Sequence, residues 1–175
     1  MVGAGAFGIV VACKDRNTPR RRRFALKIAA QNHPHAAAAL LRERTMLSKM
    51  NHPNIIRVHN LPVEYKNLVM MRMELGKETV SSYVENQQKL TKMQGLPEHE
   101  AAKIMKGLLR ALEYMHDDQN IIHRDIKPDN LILSRQKAQD LDKVKLIDFG
   151  LAVQDSLDTI TDFAKCGTFL YKPPE

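Results

Sequence analysis

The sequence predicts an α+β chain in two unequal parts, a strand-rich front carrying one helix and a mainly helical rear. Three observations predict it. Before Leu75-Gly76, short runs rich in Val, Ile and Phe alternate with polar turn residues. From residue 97 to residue 116, apolar side chains recur with a helical period instead. A length of 175 residues suits one ordinary domain, or two small lobes sharing a cleft.

The elements follow in order. Residues 9–13 and 24–29 read as a hairpin across a polar turn at 15–19. Pro34 suits the first position of a helix, with Asn32 or His33 before it, and Leu40, Leu41, Met46 and Leu47 continue near a 3.6 period through residues 36–50. His52-Pro53-Asn54 stops it, because the residue before a proline is pushed away from helical angles. Residues 55–63 and 68–73 read as two more strands around a turn at 64–67. The strongest helix covers 97–116, with Ala101, Ile104, Met105, Leu108, Leu109, Leu112 and Met115 on one face. Two short apolar segments, 131–133 and 144–147, come last. The change of character at Leu75-Gly76 divides the chain into residues 1–75 and 76–175.

Composition excludes several classes. With 43% apolar and 27% charged residues, the chain is neither disordered over most of its length nor a fibrous repeat. The longest apolar run, residues 1–13, falls short of the ~18 needed to span a bilayer. No Lys or Arg precedes it, so it lacks the charged start of a secretory signal. Two cysteines, Cys13 and Cys166, point to a reducing compartment: intracellular, cytoplasmic by default, with the nucleus as the alternative. The net charge is +7, and Arg20 to Arg23 form its one dense run. Aromatics make up only 5% and Trp is absent, so that run reads as a solvated hairpin tip, with partner binding as the alternative. No nucleic-acid partner and no membrane association are expected.

Chemistry concentrates in four places. Gly3-Ala4-Gly5-Ala6-Phe7-Gly8 is a GxGxxG, but Ile9-Val10-Val11 after it suits a strand and not the helix of a dinucleotide fold. Such a loop either lays backbone N–H groups over phosphate or is a ligand-free turn. Lys27 sits in an apolar strand and Glu43 on the first helix. Each could be an ordinary surface charge, or the two could pair and hold an ammonium toward phosphates. His123-Arg124-Asp125-Ile126-Lys127-Pro128-Asp129-Asn130 is too polar for core, and its Asp125 and Asn130 suit a proton acceptor and a metal ligand. Asp148-Phe149-Gly150 ends an apolar strand with a carboxylate fit for a hard cation.

Together these motifs resemble the eukaryotic-type protein kinase catalytic domain, whose ordered set is a Gly-rich loop, a strand Lys, HRDxxxxN, DFG and APE. The resemblance covers nearly the whole chain and implies a bilobal fold, with a small antiparallel β-sheet lobe bearing one helix and an incomplete helical lobe. It implies ATP and Mg²⁺ as cofactors and protein serine/threonine hydroxyls as substrate. Gly3, Ala4, Gly5, Ala6, Phe7 and Gly8 would cover the phosphates, and Lys27 would contact them while pairing with Glu43. Val10, Ala25 and Ile132 fall where the family sandwiches adenine; Met73, Glu74 and Leu75 resemble its gatekeeper and hinge. Asp125 resembles the catalytic base, and Asn130 and Asp148 the metal ligands. Lys127 resembles the serine/threonine branch, and the HRDIKPDN wording with Cys166-Gly167-Thr168 leans toward the calmodulin-dependent group. Thr168 is expected to position Asp125 and Lys127. Thr159 and Thr161 could be phosphorylated and pair with Arg124, or be ordinary loop residues; the position two before Cys166 is Ala164.

The chain departs from the pattern at Pro173-Pro174-Glu175, which stands for APE, and at its ends: only two residues precede Gly3, and the sequence stops where the family continues into further helices. An exposed apolar face on the 97–116 helix is therefore expected. So is a second reading of function, a catalytically inactive kinase-fold module that binds or scaffolds.

Overall fold

The computed structural model describes residues 3–5, 8–16, 22–59, 64–92, 94–133, 140–154 and 166–172. Ala6, Phe7, Arg20, Arg21, Thr159, Thr161, Ala164 and the terminal Pro-Pro-Glu lie outside them. The chain divides into two compact units, one of residues 1–51 and 56–75, the other of 52–55 and 76–175.

Among its described residues, the first unit is a six-stranded antiparallel sheet with one helix. Strands β1 (Gly3–Gly5), β2 (Gly8–Lys14) and β3 (Arg23–Ala30) pair in sequence, with Val10 opposite Lys27 and Ala12 opposite Ala25. Helix α1 (Pro34–Ser48) begins with Pro34 in its first turn, where a missing N–H costs nothing, and runs through an alanine-rich stretch. It buries Ala37, Ala39, Leu40, Glu43 and Leu47. Strands β4 (Val58–His59), β5 (Glu64–Tyr65) and β6 (Leu68–Met73) complete the sheet, in the order β1-β2-β3-β6-β4 with β5 also on β6. The strand period of two sends Ala25, Lys27 and Ala29 of β3, and Val69, Met71 and Met73 of β6, into the core.

Two sequence expectations need correction here. The turn is not 64–67 but Lys66-Asn67, with Lys66 at φ 54, because Glu64–Tyr65 already pairs with β6. The strand expected over 55–63 is, among described residues, only Val58–His59. Ile55 instead bridges Leu146 in the second unit, drawn there by Asn54, whose buried amide donates to Asp142 O and Val144 O, both at 2.7 Å.

The second unit is built on two helices. Helix α2 (Val80–Thr91) was not anticipated, since only Val80 and Tyr83 are buried along it. Its start is nonetheless conventional: Thr79 Oγ1 accepts from Ser82 N at 3.1 Å. Helix α3 (Glu98–Glu113) carries Glu98 and Glu100 in its first turn, where acids suit the helix dipole. It passes into a π-turn at Tyr114–Asp118. Ile104, Gly107, Leu108, Ala111 and Met115 are buried, whereas Met105 and Leu109 of the expected apolar face are 48% and 57% exposed. Strand β7 (Ile121–Ile122) pairs with β10 (Val153–Gln154), and β8 (Leu131–Ile132) with β9 (Lys145–Leu146). No helix among the described residues is long and apolar enough to cross a membrane.

Candidate functional site

The first unit holds a buried ion pair. The alternation of β3 turns Lys27 inward, and the helical period of α1 places Glu43 on the same side as Leu40 and Leu47. Lys27 Nζ lies 2.7 Å from Glu43 Oε2, and the residues are 8% and 2% exposed. Neither is the ordinary surface charge that its residue type favours. Val10 and Met71 stand opposite Lys27, and Met73 opposite Ala25, so these side chains share its sheet face. Glu74 N donates to Arg57 O at 3.0 Å while Glu74 Oε1 accepts from Arg57 N at 2.7 Å; Leu75 is half-buried. Gly3, Ala4 and Gly5 form the strand facing Val10, Ile9 and Gly8. Gly8 has φ +127, and a Cβ there would strike the Ile28 carbonyl, so only glycine fits at the start of β2.

The second unit gathers Asp125, Lys127, Asn130, Asp148 and Thr168. Asp125 Oδ1 accepts from Thr168 N at 3.0 Å and Thr168 Oγ1 at 2.7 Å; Oδ2 accepts from Asn130 Nδ2 at 2.9 Å and lies 2.9 Å from Lys127 Nζ. Those four donors fill the lone-pair positions of a carboxylate. Lys127 also donates to Thr168 Oγ1 at 2.7 Å, so Thr168 holds both residues. Burial pushes the Asp125 carboxyl up, but hydrogen bonds from Thr168, Lys127 and Asn130 outweigh it and hold the group below its ordinary range.

Backbone geometry sustains this cluster. Gly167 sits at φ +88, and a Cβ there would come 2.7 Å from Arg124 O. Arg124 and Asp148 themselves have φ 66 and 60, a left-handed strain kept only where the surroundings over-determine it. Arg124 Nε donates to Leu151 O at 2.7 Å. His123, 1% exposed, receives Asp125 N at Nδ1 (3.3 Å), which leaves Nε2–H to donate to Ile147 O (3.0 Å) and fixes a neutral ring. Burial lowers its pKa accordingly. The Phe149 ring meets His123 edge-on, 4.8 Å between centroids.

Asn130 is 5% exposed and spends Nδ2 on Asp125, so its amide oxygen is the atom that could hold a metal. Ile147 N donates to Asn130 O at 2.9 Å, which sets Asp148 one residue beyond that pairing. An amide oxygen and a carboxylate are hard donors suited to Mg²⁺ shared with phosphate oxygens. No cluster of three or more His, Cys, Asp or Glu among the described residues would hold a metal unaided. Ile132 lies on β8, half-buried, bridging Thr79.

Sequence reasoning passed over His52 and Asn54, reading them only as a helix stop. His52 stacks on Tyr114, 5.1 Å between centroids at 16°, and with Asn54 fastens the 52–55 segment to the second unit.

The sequence profile of the protein kinase domain matches residues 1–175. Serine/threonine-protein kinase DCLK3 of Mus musculus is 32% identical over 177 residues, covering 100% of this chain and 21% of the relative. Calcium-dependent protein kinase 5 of Plasmodium falciparum is 35% identical over 153 residues, 86% of this chain and 25% of its own. Cyclin-dependent kinase-like 1 of Caenorhabditis elegans is 31% identical over 175 residues, 99% and 46%. The chain spans about a fifth to a half of these relatives' lengths. Because the profile runs through both units and every motif described above, the chain belongs to the protein kinase domain family.

Proposed function

We propose that the chain transfers the γ-phosphoryl group of ATP to serine or threonine hydroxyls of a protein substrate. The observation that carries this reading is the Asp125 carboxylate, held in place by Thr168, Lys127 and Asn130. Phosphoryl transfer passes through a loose transition state, so the protein's part is positioning and electrostatic clamping. Mg²⁺ bound with ATP supplies positive charge against the phosphate oxygens. Asn130 and Asp148 offer it oxygen donors, and Lys27, fixed by Glu43, offers a cation to the α- and β-phosphates. Residues 1–75 are the nucleotide-binding lobe in this reading, with Gly3 to Gly8, Val10, Ala25 and Met73 to Leu75 as nucleotide contacts, and Ile132 another from residues 76–175.

Asp125 orients the substrate hydroxyl and takes its proton. Its lowered pKa keeps it ionised and ready at neutral pH. With all four acceptor positions occupied, the hydroxyl must displace a donor. Lys127 is the one that yields: it sits on a flexible stem and keeps Thr168 Oγ1 as a partner when it leaves Asp125. The compartment we infer is intracellular, in keeping with a chain that carries two cysteines, too few for a disulfide scaffold.

Displacement of a fluorescent ATP analogue, with and without Mg²⁺, tests the nucleotide half. Asp148→Asn is expected to abolish the Mg²⁺ dependence, and Lys27→Met to weaken binding at any Mg²⁺ level. The exposed Met105 and Leu109 favour a second reading, a non-catalytic kinase-fold binding module. That reading predicts nucleotide binding, or none, without transfer to any hydroxyl.

A further inference from the structure

The charge of this chain is concentrated. Residues 14–23 contain six basic side chains and one acid, leaving a net of only about two positive charges for all the rest of the +7. That acid, Asp15, is already engaged: Arg72 Nη2 lies 3.2 Å from its Oδ2 while the Arg72 guanidinium covers the Phe24 ring at 4.1 Å. Lys14 and Arg23 stand directly opposite each other across β2 and β3. Asp15 N donates to Arg22 O at 2.9 Å, so the neighbouring 14/23 pair is of the non-hydrogen-bonded kind, in which side chains approach most closely. Like charges so placed repel. Both are exposed, as is Arg16, and none of the three has an acidic partner among the described residues. Lys14 and Arg16 line, with Ala12 and Asp15, an open depression at this end of the hairpin.

We propose that Lys14, Arg16 and Arg23 form a docking surface for a carboxylate-rich segment of a partner protein. The arrangement stores a repulsion that an acidic ligand relieves. An extended peptide presents alternate side chains on one side ~7 Å apart, so acids at every second position can meet this set of cations together. A single-stranded nucleic acid fits less well, because it binds by stacking on aromatics. Phe24, the aromatic of β3, belongs to the opposite sheet face and lies under Arg72. A membrane surface fits less well too: Ala12, the apolar neighbour on this face of β2, offers little to insert.

The test is fluorescence anisotropy of the whole chain with three labelled probes: a Glu-Gly repeat peptide, an oligothymidylate, and vesicles of phosphatidylserine. The expected result is salt-sensitive binding of the acidic peptide in preference to the other two. The triple variant Lys14→Glu, Arg16→Glu, Arg23→Glu should weaken it by about tenfold or more, equivalent to ~1.4 kcal/mol. The neutral variant Lys14→Gln, Arg16→Gln, Arg23→Gln should fall between, and both should keep the parental circular dichroism. Peptide affinity unchanged by either variant overturns the proposal, as does tighter binding of oligothymidylate or vesicles lost through the same substitutions.

Discussion

Asn130 donates through Nδ2 to two oxygens of Asp125, the main-chain carbonyl at 2.8 Å and carboxylate Oδ2 at 2.9 Å. One amide therefore sets both the path of the 125–130 loop and the direction of the carboxylate. Asn130→Asp would put a second carboxylate beside Oδ2, and like charges at that range cannot both stay ionised easily. Its pH–rate profile should show the acidic limb moved to higher pH, with transfer reduced at neutrality. An unchanged limb would argue against contact between the two groups.

Thr168 holds Asp125 Oδ1 twice and Lys127 once. Thr168→Ala keeps the backbone bond but loses both hydroxyl contacts. Transfer should fall by roughly ten- to a hundredfold, on the scale of small misplacements of a catalytic group. The loss should lie in kcat rather than KM for ATP, and Thr168→Ser should restore most of it. Steady-state kinetics on the two variants decide this.

The Lys27–Glu43 pair is buried on both sides, so removing one residue takes away the 2.7 Å contact that offsets burial of the other charge. Lys27→Met alone should cost about 3–5 kcal/mol in urea unfolding. Adding Glu43→Leu should recover much of that stability while leaving nucleotide binding impaired. A double variant no more stable than Lys27→Met would mean that the pair is not coupled.

Acid should destabilise the fold early. Burial lowers the pKa of His123, and burial with nearby Lys145 and Arg110 lowers that of His52. A group with a lowered folded pKa is held neutral here, so its contribution is complete above the unfolded value of ~6.5 and is lost as pH falls below it. Asp125, also lowered, adds a further loss as pH drops below ~3.9. Thermal melts from pH 8 downward should show Tm constant to neutrality and then declining, with a shallower decline for His123→Asn.

The candidate site was legible from the ordered set of motifs more than from any single residue. Lys27 alone could be an ordinary strand charge and gains meaning only beside Glu43 and the later polar loop; the structure pairs Lys27 with Glu43 and Asp125 with Thr168, as expected. Helix α2 escaped notice because it buries only Val80 and Tyr83, leaving no readable apolar stripe; its Thr79 cap was the available signal. The 52–55 segment was hidden for a different reason. Asn54 bonds to residues 88 and 90 positions away, and no local pattern reports a partner so distant. Met105 and Leu109 keep the helical period of α3 and are exposed, in line with the exposed apolar face expected on that helix.

Phosphate incorporation from labelled ATP and Mg²⁺ into a serine/threonine peptide mixture, by the chain and by Asp125→Asn, tests the central claim most directly. The account predicts transfer by the parent and loss of at least about a thousandfold in the variant, with nucleotide binding retained. Equal incorporation by both proteins, or ATP binding by the parent with no transfer at all, would contradict it.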